Sequence, residues 1–159
     1  MQYDLLIKNV RVVRPGESAV RDADIAVQDG KFSLVQAGLQ ASAAKQVFDG
    51  KGLLAFPGVV DAHMHAGIYS PLAEDAVSES RAAAQGGVTS SLNYFRTGQY
   101  YLNKGGPYAE FFPEVLKISE GKFHVDYGFH LAPMDGTHIS EIESLVQKFG
   151  VSSFKIFMF

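Results

Sequence analysis

Two histidines separated by one residue stand at the end of an apolar run that predicts a buried strand. Side chains two residues apart in an extended chain point to the same side and lie about 7 Å apart along the backbone. The imidazoles of His63 and His65 can therefore reach the same metal ion. The alternative is a chance His-x-His pair on a solvated loop, and the spacing by itself leaves both interpretations open.

A lone lysine, Lys155, interrupts the mainly apolar segment 153–159, which predicts another buried strand. Because burial disfavours an ammonium ion, the amine is expected to be neutral and nucleophilic there. A neutral lysine can form a Schiff base or capture carbon dioxide as a carbamate, an anion whose two oxygens suit a bridge between two cations. The alternatives are that Lys155 extends its amine out of the strand end or pairs with a carboxylate.

The composition is that of an ordinary globular domain and excludes several classes of protein. The 159 residues are 47% hydrophobic and 19% charged, with a formal net charge of -3 and no cysteine. This charge balance offers no basic surface for nucleic acid or an anionic membrane. Without cysteine, a metal must be held by His, carboxylate or modified Lys ligands. The sequence shows no leader and no apolar run of membrane length, which predicts a cytoplasmic protein.

The elements that must position the candidate residues change type near the segment Phe56-Pro57-Gly58. Before it the pattern is all β, and the pair Asp29-Gly30, which tolerates positive φ, predicts a tight hairpin. Such short strands predict a small, incomplete sheet that needs another layer packed on it. The predicted strands cover residues 4–13, 24–28, 31–35 and 46–48.

After Pro57 strands and helices alternate, which predicts a parallel sheet with right-handed crossovers. The sheet is either an open doubly wound sheet or half of an eight-stranded barrel, but no Gly-x-Gly-x-x-Gly follows its first strand. The predicted strands cover 59–63, 88–94, 124–130 and 153–159, and the predicted helices cover 71–85, about 112–121 and about 140–150.

Local signals give further detail for these helices. The first is expected to bury Leu72, Ala76, Ala83 and Ala84, and Pro113 is tolerable only in the first turn of the second. The spacing Ser140-x-x-Glu143 predicts a capping box at the start of the third. The inward positions of that third helix are expected to be Ile139, Ile142, Leu145, Val146 and Phe149.

Four segments appear in the order and spacing of one enzyme family: FPGVVDAHMH at 56–65, RAAAQGGVT at 81–89, DYGFH at 126–130 and SFKIFM at 153–158. With them the whole chain resembles the N-terminal portion of the dihydropyrimidinase/hydantoinase-type cyclic amidohydrolases, in the metal-dependent amidohydrolase superfamily. The resemblance implies an α/β fold. Residues 56–159 would form the first half of a (β/α)8 TIM-like barrel, and residues 1–55 would form part of a small β-sandwich domain before it.

The resemblance also implies a function. His63 and His65 correspond to ligands of the more buried of two divalent metal ions, commonly zinc, and Lys155 corresponds to a carboxylated lysine that bridges both ions. A hydroxide shared by the metals attacks a ring amide carbonyl of a hydantoin, a dihydropyrimidine or a related cyclic imide. The family's other metal ligands and its catalytic aspartate fall beyond Phe159, so the 159-residue chain alone is expected to be inactive. The expected assembly is a homotetramer, or a second chain that completes the barrel.

The other polar candidates are expected to be structural. Asn93 ends the second parallel strand, and His130, which ends the third, is interpreted as a hydrogen-bonded core histidine rather than a metal ligand. His124 and His138 stand at the starts of elements and are expected at the surface or as caps. Residues 66–71 differ from the usual hydantoinase loop, which leaves the substrate open.

A non-catalytic scaffold is the competing function. The family includes cytoskeletal-signalling relatives that keep the fold and the oligomer but lack the metal ligands. The presence of His63, His65 and Lys155 in this chain favours an enzyme.

Overall fold

The computed structural model of the chain describes residues 2–97 and 104–158. The chain divides into two compact units, Met1–Pro57 and Gly58–Phe159. Among the described residues, no helix is long and apolar enough to cross a membrane.

The first unit is a five-stranded sheet in the order β3-β2-β1-β4, with β5 also paired to β1. Its hairpin between β2 and β3 turns at Asp29 and Gly30, which have φ of 50° and 71°, as the sequence predicts. The pairs β1–β2 and β2–β3 are antiparallel, whereas β4 and β5 run parallel to β1. The strands are β1 Tyr3–Val12, β2 Arg21–Gln28, β3 Lys31–Gln36, β4 Ala44–Asp49 and β5 Leu54–Ala55, with a 3-10 turn at Ala41–Ala43.

A buried charged cluster, which we call the Asp24 cluster, lies on this sheet and consists of Lys8, Asn9, Asp24 and Leu39. The Asp24 carboxylate accepts a hydrogen bond from the Lys8 ammonium at 3.1 Å. It also accepts hydrogen bonds from the backbone N–H groups of Asn9 and Leu39 at 2.9 Å each. Lys8 also donates to the carbonyl of Leu39. Burial acts to raise the pKa of Asp24, but these donors outweigh it and hold the pKa below its ordinary range. Every charge in the cluster thus has a direct partner.

The second unit alternates strands and helices around the parallel sheet β6-β7-β8. This alternation confirms the α/β class and the parallel pairing that the sequence predicts after Pro57. The elements are β6 Val59–Met64, α1 Leu72–Gln85, β7 Val88–Phe95, α2 Tyr108–Ser119, β8 Asp126–Leu131, α3 Gly136–Ser140 and α4 Ile142–Phe149.

An aromatic core fixes α2 against the sheet. Phe111, Phe112 and Val115 are buried on α2, and their neighbours on the strands include Phe95 and Leu131. Burying each of these large side chains stabilises the fold by about 1.5–3 kcal/mol. Pro113 lies at the sixth residue of α2 and not in its first turn, so that expectation is wrong. The packed face around the proline holds the helix together in spite of the lost N–H.

Side chains on the crossover helices also depart from the apolar pattern. In α1 the buried positions are Leu72, Ala76 and Ser80, and Ala84 is exposed. Ser80 is accommodated because its hydroxyl donates to the carbonyl of Ala76 and accepts the N–H of His124. The buried face of α1 thus follows the helical spacing of Leu72, Ala76 and Ser80, and hydrogen bonds allow a polar residue on it.

The predicted third helix is two helices, and Ser140 does not cap either. The chain bends at Glu141 between α3 and α4, and the side chain of Asp135 accepts the N–H groups of Thr137 and His138 at the start of α3. The Ser140 hydroxyl instead donates to the carbonyl of Thr137 at 2.7 Å. Ile139 and Val146 are exposed, so only part of the expected apolar face is buried.

The Glu141 carboxylate at this bend binds the start of α2. It accepts the N–H groups of Tyr108 and Ala109 at 2.8 Å each, two of the four that a helix leaves unpaired at its N-terminus. A charge at this end of the helix dipole is also favourable.

The predicted strand over 153–159 is reduced to a single bridge between Leu131 and Phe154. The N–H of Lys155 donates to the carbonyl of Leu131 at 2.8 Å, but Ile156 and Met158 are 76% and 93% exposed. Among the described residues, nothing pairs with the other side of this segment, so Lys155 is partly exposed and not buried on both faces. Phe159 lies outside the described residues.

Candidate metal centre

The carboxyl ends of the three parallel strands bring several nitrogen-bearing and aromatic side chains together. His63 lies near the end of β6, and Tyr94 and His130 occupy paired positions near the ends of β7 and β8. Parallel strands end at the same edge of a sheet, and βα folds build their sites at that edge. The chain order of β6, β7 and β8 thus places these side chains side by side.

The structure brings all three predicted site residues together in one group, here called the histidine–lysine cluster: His63, His65 and Lys155. Nε2 of His63 lies 3.1 Å from Nε2 of His65 and 3.0 Å from Nζ of Lys155. His63 and Lys155 are 92 residues apart in the chain, so this approach is a consequence of the fold.

The spacing of the two imidazole nitrogens suits a metal ion. Nitrogens bound at about 2.0–2.1 Å to a tetrahedral zinc ion stand about 3.3 Å from each other, close to the 3.1 Å between the Nε2 atoms of His63 and His65. Within residues 2–97 and 104–158, however, no group of three or more His, Asp and Glu side chains has the arrangement of a metal site.

Two aromatic rings surround the amine of Lys155. Its Nζ stands 4.7 Å from the ring centroid of Tyr94 and 5.0 Å from that of Phe157. Both distances lie within the range of a cation–π contact. The neutral amine that the sequence predicts depends on full burial, and Lys155 is only partly buried.

Burial lowers the pKa of all three histidines in this region below the ordinary range. For His63 the positive charge of Lys155 acts in the same direction, and for His65 the charges of His63 and Lys155 do so. For His130 the charges of His63, Lys155 and His65 add to burial. The imidazoles are therefore neutral at neutral pH, which is the form that binds a metal.

Known proteins of related sequence and fold share this architecture. The D-hydantoinase of Geobacillus stearothermophilus is 33% identical over 158 residues, which are 96% of this chain and 32% of the relative. The solved dihydropyrimidinase from Brevibacillus agri NCHU1002 superposes with a TM-score of 0.78 at 30% identity, over 96% of this chain and 32% of that structure. An allantoinase of Escherichia coli O1:K1 / APEC is 42% identical over 95 residues, 58% of this chain and 20% of the relative. No family model matches the chain.

The chain belongs to the hydantoinase-type amidohydrolases. It spans about a third of the length of the curated hydantoinases it matches. The resemblance inferred from the four sequence segments is thereby confirmed at the level of the family.

Two side chains beside the histidine–lysine cluster, Tyr94 and His130, are not among the site residues that the sequence predicts. Tyr94, which is 3% exposed, contacts the rings of His63 and His65 at centroid distances of 5.8 and 5.1 Å. His130 was expected to be a hydrogen-bonded core histidine, and it is, but its partner is Nδ1 of His63 at 2.7 Å. The signal that could have found both is their position at the carboxyl ends of neighbouring parallel strands.

The remaining polar candidates lie outside the histidine–lysine cluster. Asn93 is fully buried and donates to the hydroxyl of Ser91 and the carbonyl of Gly128, which ties β7 to β8. His124 is at the surface, as expected. His138 is buried, against expectation, because its ring stacks on Tyr108 at 3.9 Å and its Nδ1 accepts the N–H of Met134.

Proposed function

We propose that this protein hydrolyses the C–N bond of a cyclic amide such as a hydantoin, a dihydropyrimidine or a related cyclic imide. In this reaction water adds to a ring carbonyl, the ring C–N bond breaks, and a carboxylate and a new N–H group are formed. Names of related proteins, D-hydantoinase and allantoinase among them, support cyclic amides as the substrate class.

One observation carries this proposal, the convergence of the histidine–lysine cluster. Two neutral imidazole nitrogens and a lysine amine approach within 3.0–3.1 Å at the carboxyl edge of a parallel sheet. In the part of the chain that the structure describes, the groups at hydrogen-bond distance from Nε2 of His63 are the nitrogens of His65 and Lys155, and no carboxylate is among them. An arrangement of this kind suits a cation better than it suits a structural salt bridge.

His63 and His65 would hold one divalent ion, with zinc as the metal that best fits neutral nitrogen ligands. Lys155, carboxylated by carbon dioxide, would add two oxygens and bridge to a second ion. When bound, the pair of ions supplies Lewis-acid polarisation of the amide carbonyl and a hydroxide nucleophile at neutral pH.

The two compact units support a larger architecture. The parallel order β6-β7-β8 and the parallel bridge from Leu131 to Phe154 are what the first half of an eight-stranded barrel would contain. The sheet of the first unit would be part of a small β-sandwich, with residues 1–55 and 56–159 as the two domains. We infer that the whole protein is a cytoplasmic homotetramer, or that another chain completes its barrel.

The decisive experiment measures metal content and ring opening together on the intact protein. The protein, reconstituted with zinc and bicarbonate, is expected to hold two zinc ions per chain and to open hydantoin or dihydrouracil. A Lys155→Arg variant keeps the positive charge but cannot form the carbamate, so it should bind less zinc and lose turnover. Lys148→Arg, at an exposed position on α4, serves as the matched control.

Two results would overturn the proposal. One is a wild-type protein that holds no zinc and opens none of these rings, which would favour the non-catalytic scaffold. The other is a Lys155→Arg variant whose zinc content and turnover equal those of Lys148→Arg, since the lysine would then have no role at the metals.

A further inference from the structure

The imidazole of His63 makes a second contact, through the nitrogen that faces away from His65 and Lys155. Its Nδ1 lies 2.7 Å from Nε2 of His130, with the two ring centroids 4.7 Å apart. At this distance one nitrogen must carry the proton and the other must accept it, because two bare lone pairs would repel each other. The pair therefore has a defined donor and a defined acceptor.

The contacts of the second ring nitrogen of His63, Nε2, indicate which of the two histidines is the donor. Nε2 of His63 is 3.0 Å from Nζ of Lys155, whose N–H groups can donate to the Nε2 lone pair, and a metal ion held at this nitrogen would use the same lone pair. With Nε2 as an acceptor, the single proton of the neutral imidazole sits on Nδ1. It follows that His63 donates from Nδ1 and that Nε2 of His130 accepts.

We propose that His130 is a positioning residue that fixes His63 as the Nδ1–H tautomer and so keeps the Nε2 lone pair available to a metal ion. The inference rests on the proposed function, which gives that lone pair its use. Metal-bound histidines usually donate their second ring N–H to an acceptor that sets both tautomer and orientation. His130 performs this task from the far side of the ring and is not itself a ligand.

The fold holds this acceptor in place. His130 is 8% exposed and lies on β8, where backbone pairing aligns it with Tyr94 on β7. The ring of Tyr94 contacts those of His130 and His63, with centroid distances of 6.4 and 5.8 Å. The carboxylate of Asp61 accepts the backbone N–H of His63 at 3.0 Å, whereas the Nδ1 atom of the His63 ring contacts His130. Position and partners thus leave the ring nitrogen of His130 as the acceptor for His63.

Three variants of the intact protein distinguish the effect of the hydrogen-bond acceptor of His130 from the effect of the size of its ring. His130→Gln places an amide oxygen near the position of Nε2, whereas His130→Asn carries the same amide on a side chain too short to reach His63. His130→Leu fills the space without any acceptor. We expect zinc affinity, measured by competition with a chromophoric chelator, to fall about 10–100-fold in the Asn and Leu variants. The Gln variant should stay close to wild type, and thermal unfolding checks that all three are folded.

A spectroscopic readout tests the tautomer without metal. In the metal-free protein, ¹⁵N chemical shifts of the His63 ring should place the proton on Nδ1 in wild type and in His130→Gln. In His130→Leu the Nδ1 proton has no acceptor, so the share of the Nε2–H tautomer should rise above that of the wild type. A merely structural role for His130 would move neither this equilibrium nor the difference between Gln and Asn.

The outcomes distinguish this inference from the proposed function. A His63 proton on Nε2, or a His130→Leu variant with wild-type zinc affinity, overturns the role of His130 and leaves the metal centre standing. A wild-type protein that binds no zinc overturns the proposed function and the metal half of this inference together. Gln and Asn variants that lose affinity equally also contradict the inference, because then the acceptor is not what matters.

Discussion

The two units each contain a lysine held by several contacts, and the contacts differ in kind. In the first unit Lys8 meets a carboxylate and a carbonyl, and the Asp24 carboxylate it binds also accepts two backbone N–H groups. In the second unit Lys155 meets the lone pair of His63 and the faces of two rings. In the Asp24 cluster each charged group has a partner of opposite charge or a hydrogen-bond donor. In the histidine–lysine cluster the groups that meet are nitrogens, with no carboxylate in the described segments to balance them. A saturated cluster stabilises a fold, and an unsaturated one is available to a ligand.

The largest effect is expected when a nitrogen is removed from the histidine–lysine cluster, because this tests whether the cluster serves a ligand rather than the fold. His65→Ala should lower the ring-opening rate of the zinc-loaded protein by about 10³-fold or more, because the metal's contributions are lost with its ligand. The stability of the metal-free protein should change little, since His65 is partly exposed. His124→Ala, at an exposed histidine outside the cluster, is the control and should keep full activity.

The opposite result is expected in the Asp24 cluster. Asp24→Asn keeps the shape of the side chain but leaves the Lys8 ammonium without its counter-charge, at a cost of about 3 kcal/mol in unfolding free energy. Urea unfolding followed by circular dichroism measures this loss, and Asp22→Asn, at an exposed position on β2, is the control. Equal stability of the two variants would show that the cluster is not structural.

Acid should remove the same contribution without a mutation. Because the pKa of Asp24 is lowered in the folded state, its stabilisation is present above the unfolded pKa of about 3.9 and is lost as pH falls through the lower folded value. Below about pH 4 the unfolding free energy of the wild type should therefore decline more steeply than that of Asp24→Asn. Parallel curves for the two proteins would contradict this assignment.

A smaller effect is expected at the helix bend in the second unit. Glu141→Gln keeps an oxygen near the N–H groups of Tyr108 and Ala109 but removes the charge at the start of α2, which should cost about 1 kcal/mol. Zinc affinity should be unchanged, since this carboxylate binds a helix N-terminus outside the histidine–lysine cluster. Unfolding by urea measures the loss against Glu143→Gln, an exposed neighbour.

Local signals in the sequence predicted much of the fold. The hairpin at Asp29-Gly30 depends on two residues that tolerate positive φ, and helix α1 ends at Gly86-Gly87 as such pairs dictate. At the third predicted helix, a competing hydrogen bond made the prediction wrong. Asp135 took the capping role expected of Ser140.

The sequence predicted only part of the candidate site. The histidine pair and Lys155 stood out by residue type and spacing, and the structure places them together. The contact between His63 and His130 was not predictable from periodicity, because it depends on how strands far apart in the chain align. The burial of His138 was not predictable for the same reason, since its partners are Tyr108 and Gly106, about 30 residues earlier in the chain.

His63 and Lys155 are 92 positions apart in the chain, and this separation also bears on folding. The chain between them contains the helices α1 to α4 and the strands β7 and β8, so we expect the site to be among the last features that a folding chain completes. An ion that joins these side chains would bind only the finished unit and would draw the equilibrium toward it by mass action. Metal binding at the site would then depend on correct folding of the second unit and would also stabilise its folded state.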